Sequence, residues 1–270
     1  MTMFSVLLSV YSKEDPSFLN SALESIYSEQ TLIPSQIVLV KDGNLTNELD
    51  SVIDNWHRKI GDIFTIVSLE ENQGLGSALN EGLVHCQYDL VARMDSDDIA
   101  LPDRFAKQVV FMENNPEVAA SSGMIEEWNE SLSIRLGTRN LPTESNQLIR
   151  FAKTRSPLSH PATIFRKSAI IEVGGYPPLR KAQDYALWSL LLTKNYKLSN
   201  LPDVLLKMRT GKELFSRRGL DYLREEYRLL RFQKKIGFLS TREYLINIIL
   251  KSGLRLAPRQ LKQWAYRYVR

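Results

Sequence analysis

The first 115 residues alternate short apolar runs with amphipathic stretches. Phe4–Val10, Gln36–Val40, Phe64–Leu69 and Leu90–Met94 are rich in valine, isoleucine and leucine, as strands buried on both faces require. Between them, Pro16–Ser28, Asn47–Arg58 and Ser77–Cys86 carry apolar residues at helical spacing. The first opens on Asp15 and Pro16, a cap followed by a first helical residue. This succession predicts three βα units and an α/β fold with a mostly parallel, Rossmann-like sheet flanked by helices. A fourth helix, Asp103–Asn114, follows Pro102 and has to stop before Pro116, which cannot continue it.

Beyond residue 115 the alternation is less regular. Val118–Gly123 and Ser133–Arg139 read as β segments, Glu144–Phe151 as an amphipathic helix, and Lys167–Val173 and Asp184–Thr193 as helices, the last also amphipathic. After about residue 212 only helices are predicted, at Leu220–Ile236, Thr241–Lys251 and Arg259–Val269, with leucine, isoleucine and aromatic residues set among arginine and lysine. The expected organisation is one lobe over residues 1–211, with halves at 1–115 and 116–211, followed by a basic amphipathic helical tail over 212–270.

Composition narrows the class. With 270 residues, 43% apolar and 24% charged, the chain can bury a substantial core, so disorder is not expected. Its single cysteine, Cys86, allows no internal disulfide and no cysteine metal cluster. Met1–Val10 lacks a basic leader and a cleavage site, so it reads as a first strand and not as a signal peptide. No run approaches the roughly 20 apolar residues that span a bilayer. The net charge of +4 conceals an asymmetry: residues 212–270 carry +10 and residues 1–211 carry −6. Such a tail can meet the phosphates of nucleic acid or of an anionic membrane surface.

Ligands of open parallel sheets bind beyond the carboxyl ends of the strands. The exits here are Val10-Tyr11-Ser12, Lys41-Asp42-Gly43, Glu70-Glu71-Asn72 and Asp95-Ser96-Asp97-Asp98. Three of the four are acidic, and an edge so acidic requires cations nearby. The last exit offers the sharpest chemistry. Asp95 and Asp97, two residues apart on an extended backbone, project to the same side. Such a pair can contact Mn2+ or Mg2+, hard cations that use few carboxylates and complete their shell with diphosphate oxygens. A blander role for Asp97 or Asp98 is to cap the helix that follows. Gly74-x-Gly76 invites a dinucleotide reading, but the third glycine of that motif would fall at Leu79, and the element follows a third strand.

Several segments together resemble a known family. Ser5–Tyr11, Ile37–Gly43, Asn72–Gly82 and Arg93–Asp98 occur in the order and spacing of the large family-two glycosyltransferases, whose catalytic domain has the GT-A fold. His160-Pro161, Gly174-Gly175-Tyr176 and Gln183–Trp188 extend the resemblance over roughly residues 4–210, and the whole chain is similar to the bacterial branch that builds capsule, exopolysaccharide or lipopolysaccharide. This implies a nucleotide-diphosphate sugar donor, a UDP-sugar first among them, bound by residues 1–115. It implies an acceptor held by residues 116–211, a saccharide on a polyprenyl diphosphate. Val10, Tyr11, Ser12, Asp42, Asn72, Gly74, Asn80, Arg93, Asp95 and Ser96 would bind the donor, with Asp42 at its base, and Asp95 and Asp97 would hold the metal. The helix after Gly74 would begin at Ser77 or Ala78 with free amides facing the donor. Many members place Arg where this chain has Leu79, so a salt bridge to phosphate has to come from elsewhere, with Arg209, Lys212, Arg217 and Arg218 the candidates.

Inverting transfer needs a base for the acceptor hydroxyl. Asp184 matches the family's Glu/Gln-Asp motif in Lys181–Trp188, and it also stands where a helix cap would. His160, Gln183 and Trp188 would line the acceptor side. Two other classes remain open at this point: a sugar-phosphate nucleotidyltransferase, which lacks its glycine- and arginine-rich loop after the first strand, and a nucleic-acid-binding module, which leaves the acidic strand ends unexplained. The expectation is a cytoplasmic enzyme, peripheral on the inner face of the cell membrane, without a nucleic-acid partner.

Overall fold

The computed structural model describes residues 2–210 and 220–256, with side chains of the latter stretch defined over 223–253. The predicted helix at Arg259–Val269, and Lys212, Arg217 and Arg218, lie outside the described residues. Four strands, β1 (Phe4–Val10), β2 (Gln36–Lys41), β3 (Phe64–Ser68) and β4 (Leu90–Arg93), pair in parallel in the order β3-β2-β1-β4. Their helices are α1 (Pro16–Ile26), α2 (Asn47–Ile60) and α3 (Leu75–His85). The chain turns back across the sheet between β1 and β4, which opens a crevice at their carboxyl ends.

The second half completes the sheet by mixed pairing. The strands β5 (Ile99–Ala100), β6 (Val118–Asn129), β7 (Arg135–Arg139), β8 (Ile164–Arg166) and β9 (Lys197–Thr210) continue the order as β4-β8-β6-β9-β5, with β7 beside β6. Between them lie α4 (Arg104–Asn114), α5 (Ser145–Ala152), α6 (Lys167–Glu172) and α7 (Gln183–Thr193). The sequence pattern left β5, β8 and β9 unpredicted. β5 and β8 are too short to show alternation. β9 contains Pro202, which argues against a central strand. The sheet accommodates it at an irregularity, since β9 pairs with β6 at Asn200 and resumes at Val204.

Alternation on β1 divides the core. Phe4, Val6, Leu8 and Val10 face α1, α2 and α4, whereas Leu7 faces the layer of α3, α6 and α7. α7 is buried almost all round, through Tyr185, Ala186, Leu187, Trp188 and Leu191, so the amphipathic expectation for this helix is corrected. Part of its cover comes from α8 (Leu220–Lys235), whose Leu229 packs on Tyr185 and Ala186. The Gln233 side chain of α8 also donates to Ser189 Oγ of α7 at 2.9 Å. α9 (Thr241–Leu256) returns along α8.

One turn ties two strand exits together. Gly43 adopts φ +83°, and a Cβ there would stand 2.7 Å from the Asn72 amide nitrogen. Gly43→Ala is therefore expected to cost about 1–3 kcal/mol from strain and displacement of the 71–74 loop. Chemical denaturation of the two proteins checks this.

Candidate active site

The exit of β2 is fixed by backbone amides. Asp42, buried at the end of β2, accepts from the amides of Gln73 (2.7 Å) and Gly74 (3.0 Å), one on each carboxylate oxygen. Asn72 donates its side-chain amide to the Asp42 carbonyl at 3.2 Å. Helix α3 begins at Leu75 on Gly74, two residues earlier than expected, and the Gly74 N–H belongs to Asp42 and is not free for a ligand. On the neighbouring strand, Val10 is buried while Tyr11 and Ser12 are exposed in the turn before α1, which Asp15 caps. Leu79 sits in the core, so helix α3 offers no cation at that position.

At the end of β4 the carboxylates of Asp95, Asp97 and Asp98 converge, with ligand oxygens all within 4.8 Å of one another. None of them caps α4, whose N-cap is Asp103. Asp95 and Asp97 are half-buried, Ser96 and Asp98 buried. Three like charges so close need an answer from the protein. Arg93, 1% exposed beneath them, donates from Nη2 to the Asp95 carboxylate. Burial opposes its charge, and Asp95 more than restores it, so its pKa stands above the ordinary value. From the other side, β9 closes over the loop because β5 pairs with it at Ile99–Lys207 and Ala100–Leu206. That register delivers Arg209, which donates its amide to Asp98 Oδ1 (2.9 Å) and Nε to the Asp97 carbonyl (2.7 Å). Its guanidinium lies 4.1 Å from the Phe18 ring of α1.

These cations leave the cluster short of positive charge. Burial and the Asp95 charge push Asp97 up to about 6, and burial with both neighbours pushes Asp98 well above the carboxylate range. Among the described residues, Asp98 Oδ2 is buried without a hydrogen-bond partner. An orphaned carboxylate oxygen beside two more carboxylates fits a hard divalent cation with oxygen ligands. Asp98 extends the expected pair of Asp95 and Asp97. Its signal in the sequence was simply a third acidic residue in the run.

Asp184 occupies the first turn of α7 behind Ala182, the N-cap residue, so it is not the cap. Burial raises its pKa, against a hydrogen bond from the Tyr185 backbone and the charge of Arg93. The Arg93 charge acts on both Asp97 and Asp184. Asn80 of α3 holds the segment leading to Asp184: its side-chain amide donates to the Tyr176 carbonyl (2.9 Å), and its oxygen accepts the Tyr176 N–H (2.7 Å). Gln183 packs against Gly76. The Tyr176 hydroxyl meets His160 Nε2 at 2.9 Å, and burial with Arg93 nearby holds His160 well below its usual pKa, hence neutral.

One sequence expectation is corrected here. Trp188 is 0% exposed in the core beside His160, so it has no surface for an acceptor. Arg93 lies under the acidic loop with Nη2 on Asp95, and its Nε and Nη1 have no hydrogen-bond partner among the described residues. The side-chain amide of Asn80 clamps Tyr176. The buried Arg104, which donates to the Arg93 carbonyl, was not anticipated, since nothing in an amphipathic helix marks an arginine as interior.

Comparison with known proteins identifies the family. The model of glycosyl transferase family 2 matches residues 5–174. The amylovoran biosynthesis glycosyltransferase AmsE of Erwinia amylovora is 40% identical over 268 residues, 98% of each chain. The UDP-Gal:alpha-D-GlcNAc-diphosphoundecaprenol beta-1,3-galactosyltransferase of Escherichia coli is 38% identical over 267 residues, 98% of this chain and 96% of its own. Among solved structures, the mannosyltransferase PcManGT from Pyrobaculum calidifontis in complex with GDP-Man and Mn2+ superimposes with a TM-score of 0.65 at 19% identity, over 94% of this chain and 70% of its own. The chain belongs to glycosyl transferase family 2, and its fold is GT-A.

The raised Asp97 sets a pH dependence of stability. Its native pKa, about 6, exceeds the unfolded value of 3.8. The native state therefore holds a proton that the unfolded chain releases, and this contribution, full below pH 3.8, is lost as pH rises through 6. In chelator, Asp97→Asn is expected to raise the melting temperature more at pH 7 than at pH 4. Thermal scans of both proteins at the two pH values measure it.

Proposed function

We propose that the chain transfers a sugar, with inversion, from a UDP-sugar to a saccharide carried on a lipid diphosphate in surface polysaccharide synthesis. The observation that carries the reading is the convergence of the Asp95, Asp97 and Asp98 carboxylates, with one Asp98 oxygen lacking a hydrogen-bond partner among the described residues, in a chain of glycosyl transferase family 2. Asp95 and Asp97, with Asp98 beside them, would hold Mn2+ or Mg2+, which when bound would supply the positive charge a departing diphosphate needs.

The remaining work belongs to side chains and amides. The exits of β1 and β2, with Val10, Tyr11, Ser12, Asp42 and Asn72, form the nucleotide side, and Gly74 sets the turn into α3. Arg209 holds the acidic loop closed at Asp97 and Asp98. Asp184 accepts the proton of the attacking acceptor hydroxyl. Its raised pKa brings it nearer the working pH, where a base is more effective than an ordinary carboxylate. Neutral His160 and Gln183 bound the acceptor side. The diphosphoundecaprenol-linked acceptor and the UDP-Gal donor in the name of the E. coli relative support the choice of substrates. A lipid-linked acceptor, together with the basic C-terminal part, supports work at the cytoplasmic face of an anionic membrane.

Asp184→Asn is expected to lower transfer about 10²–10⁴-fold while leaving stabilisation by UDP with Mn2+ in a thermal shift intact. Asp97→Ala should abolish both. Transfer at the native rate in either variant, followed as UDP release, contradicts the assigned roles.

A further inference from the structure

α9 is apolar on two sides and uses only one. Tyr244, Asn247, Ile248, Lys251 and Ser252, at helical spacing, face inward. Tyr244 and Ile248 pack with Leu230 and Phe238, Asn247 donates to the Lys153 carbonyl, and Ser252 meets Tyr227. The opposite side, where a solvated helix would be polar, carries Leu245, Ile246, Ile249 and Leu250, exposed by 53%, 42%, 70% and 58%. This is a contiguous aliphatic stripe on a helix already anchored to the protein.

The charge around it selects the occupant. After Glu243 the chain carries Lys251, Arg255, Arg259, Lys262, Arg267 and Arg270 and not one carboxylate side chain. Arg242 stands exposed at the start of the helix. Aliphatic side chains in a stretch of sequence so rich in cations suit an anionic lipid surface, where the apolar face enters the acyl boundary and cations meet headgroup phosphates. A second copy would bring like charges together across the same face. A nucleic acid offers nothing to leucine and isoleucine and would favour aromatic side chains for stacking.

We infer that the Leu245, Ile246, Ile249 and Leu250 face of α9 is a membrane-docking surface for anionic lipid. The −6 charge of residues 1–211 turns that lobe toward the aqueous side, so docking orients the chain as well as retaining it. The inference rests on the transfer reading only in that a lipid-linked acceptor gives docking its use.

Flotation of the full chain with vesicles of phosphatidylcholine containing about a quarter phosphatidylglycerol tests it. Wild type should float, less so in high salt and not with phosphatidylcholine alone. Leu245→Ser/Ile249→Ser should lose about tenfold or more of its vesicle partitioning, with an unchanged melting temperature and unchanged transfer to a water-soluble acceptor. Val84→Ser, altering an exposed apolar residue of α3, should float as wild type. Asp97→Ala should float normally while lacking transfer, which separates failure of docking from failure of the catalytic reading. Equal flotation of the double variant, a wild-type dimer by light scattering that the double variant loses, or stronger binding to duplex DNA than to these vesicles would overturn the proposal.

Discussion

The ion pair between buried Arg93 and Asp95 is the constraint on which the site depends. Three carboxylates within 4.8 Å of one another repel, and in a partly desolvated loop that repulsion is not screened by solvent. Arg93 answers part of it from below and Arg209 holds the loop from above. Full neutralisation by the protein would leave nothing for a ligand. The remaining deficit, visible in the raised Asp97 and Asp98 and in an Asp98 oxygen unpartnered among the described residues, is what the proposed cation would answer.

The same guanidinium explains why distant segments of sequence work together. The Arg93 charge acts on Asp97, His160, Tyr176 and Asp184 alike. Around it, α3 serves as a common support. Its start is set by Gly74 on Asp42, its middle grips Tyr176 through Asn80, and its first turn packs under Gln183. A displacement of α3 therefore reaches both sides of the crevice. The rigid part of the site is local backbone and buried charge rather than a deep apolar cavity.

The βα half was legible because burial on two faces leaves a simple record: apolar runs for β1 to β4, and Asp15-Pro16 at the head of α1. The acidic run at the end of β4 was legible because no core needs it. What escaped depends on pairing across long separations. β5 is two residues long and exists only because β9 lies beside it, yet that pairing is what carries Arg209 to Asp98. Pro202 disguised β9, and Trp188, placed on the acceptor side by the family resemblance, belongs to the buried core around α7. Arg93 and Arg104 look like surface cations in any local reading, and only the assembled core shows them as counter-charges.

Anomalous diffraction at the manganese edge, from crystals grown with UDP-sugar and Mn2+, tests the central claim most directly. The account predicts a single strong peak between the carboxylates of Asp95 and Asp97 and the diphosphate, with Asp184 on the same crevice facing the sugar. A peak elsewhere, or Asp184 opening onto a different surface from the bound nucleotide, would contradict it.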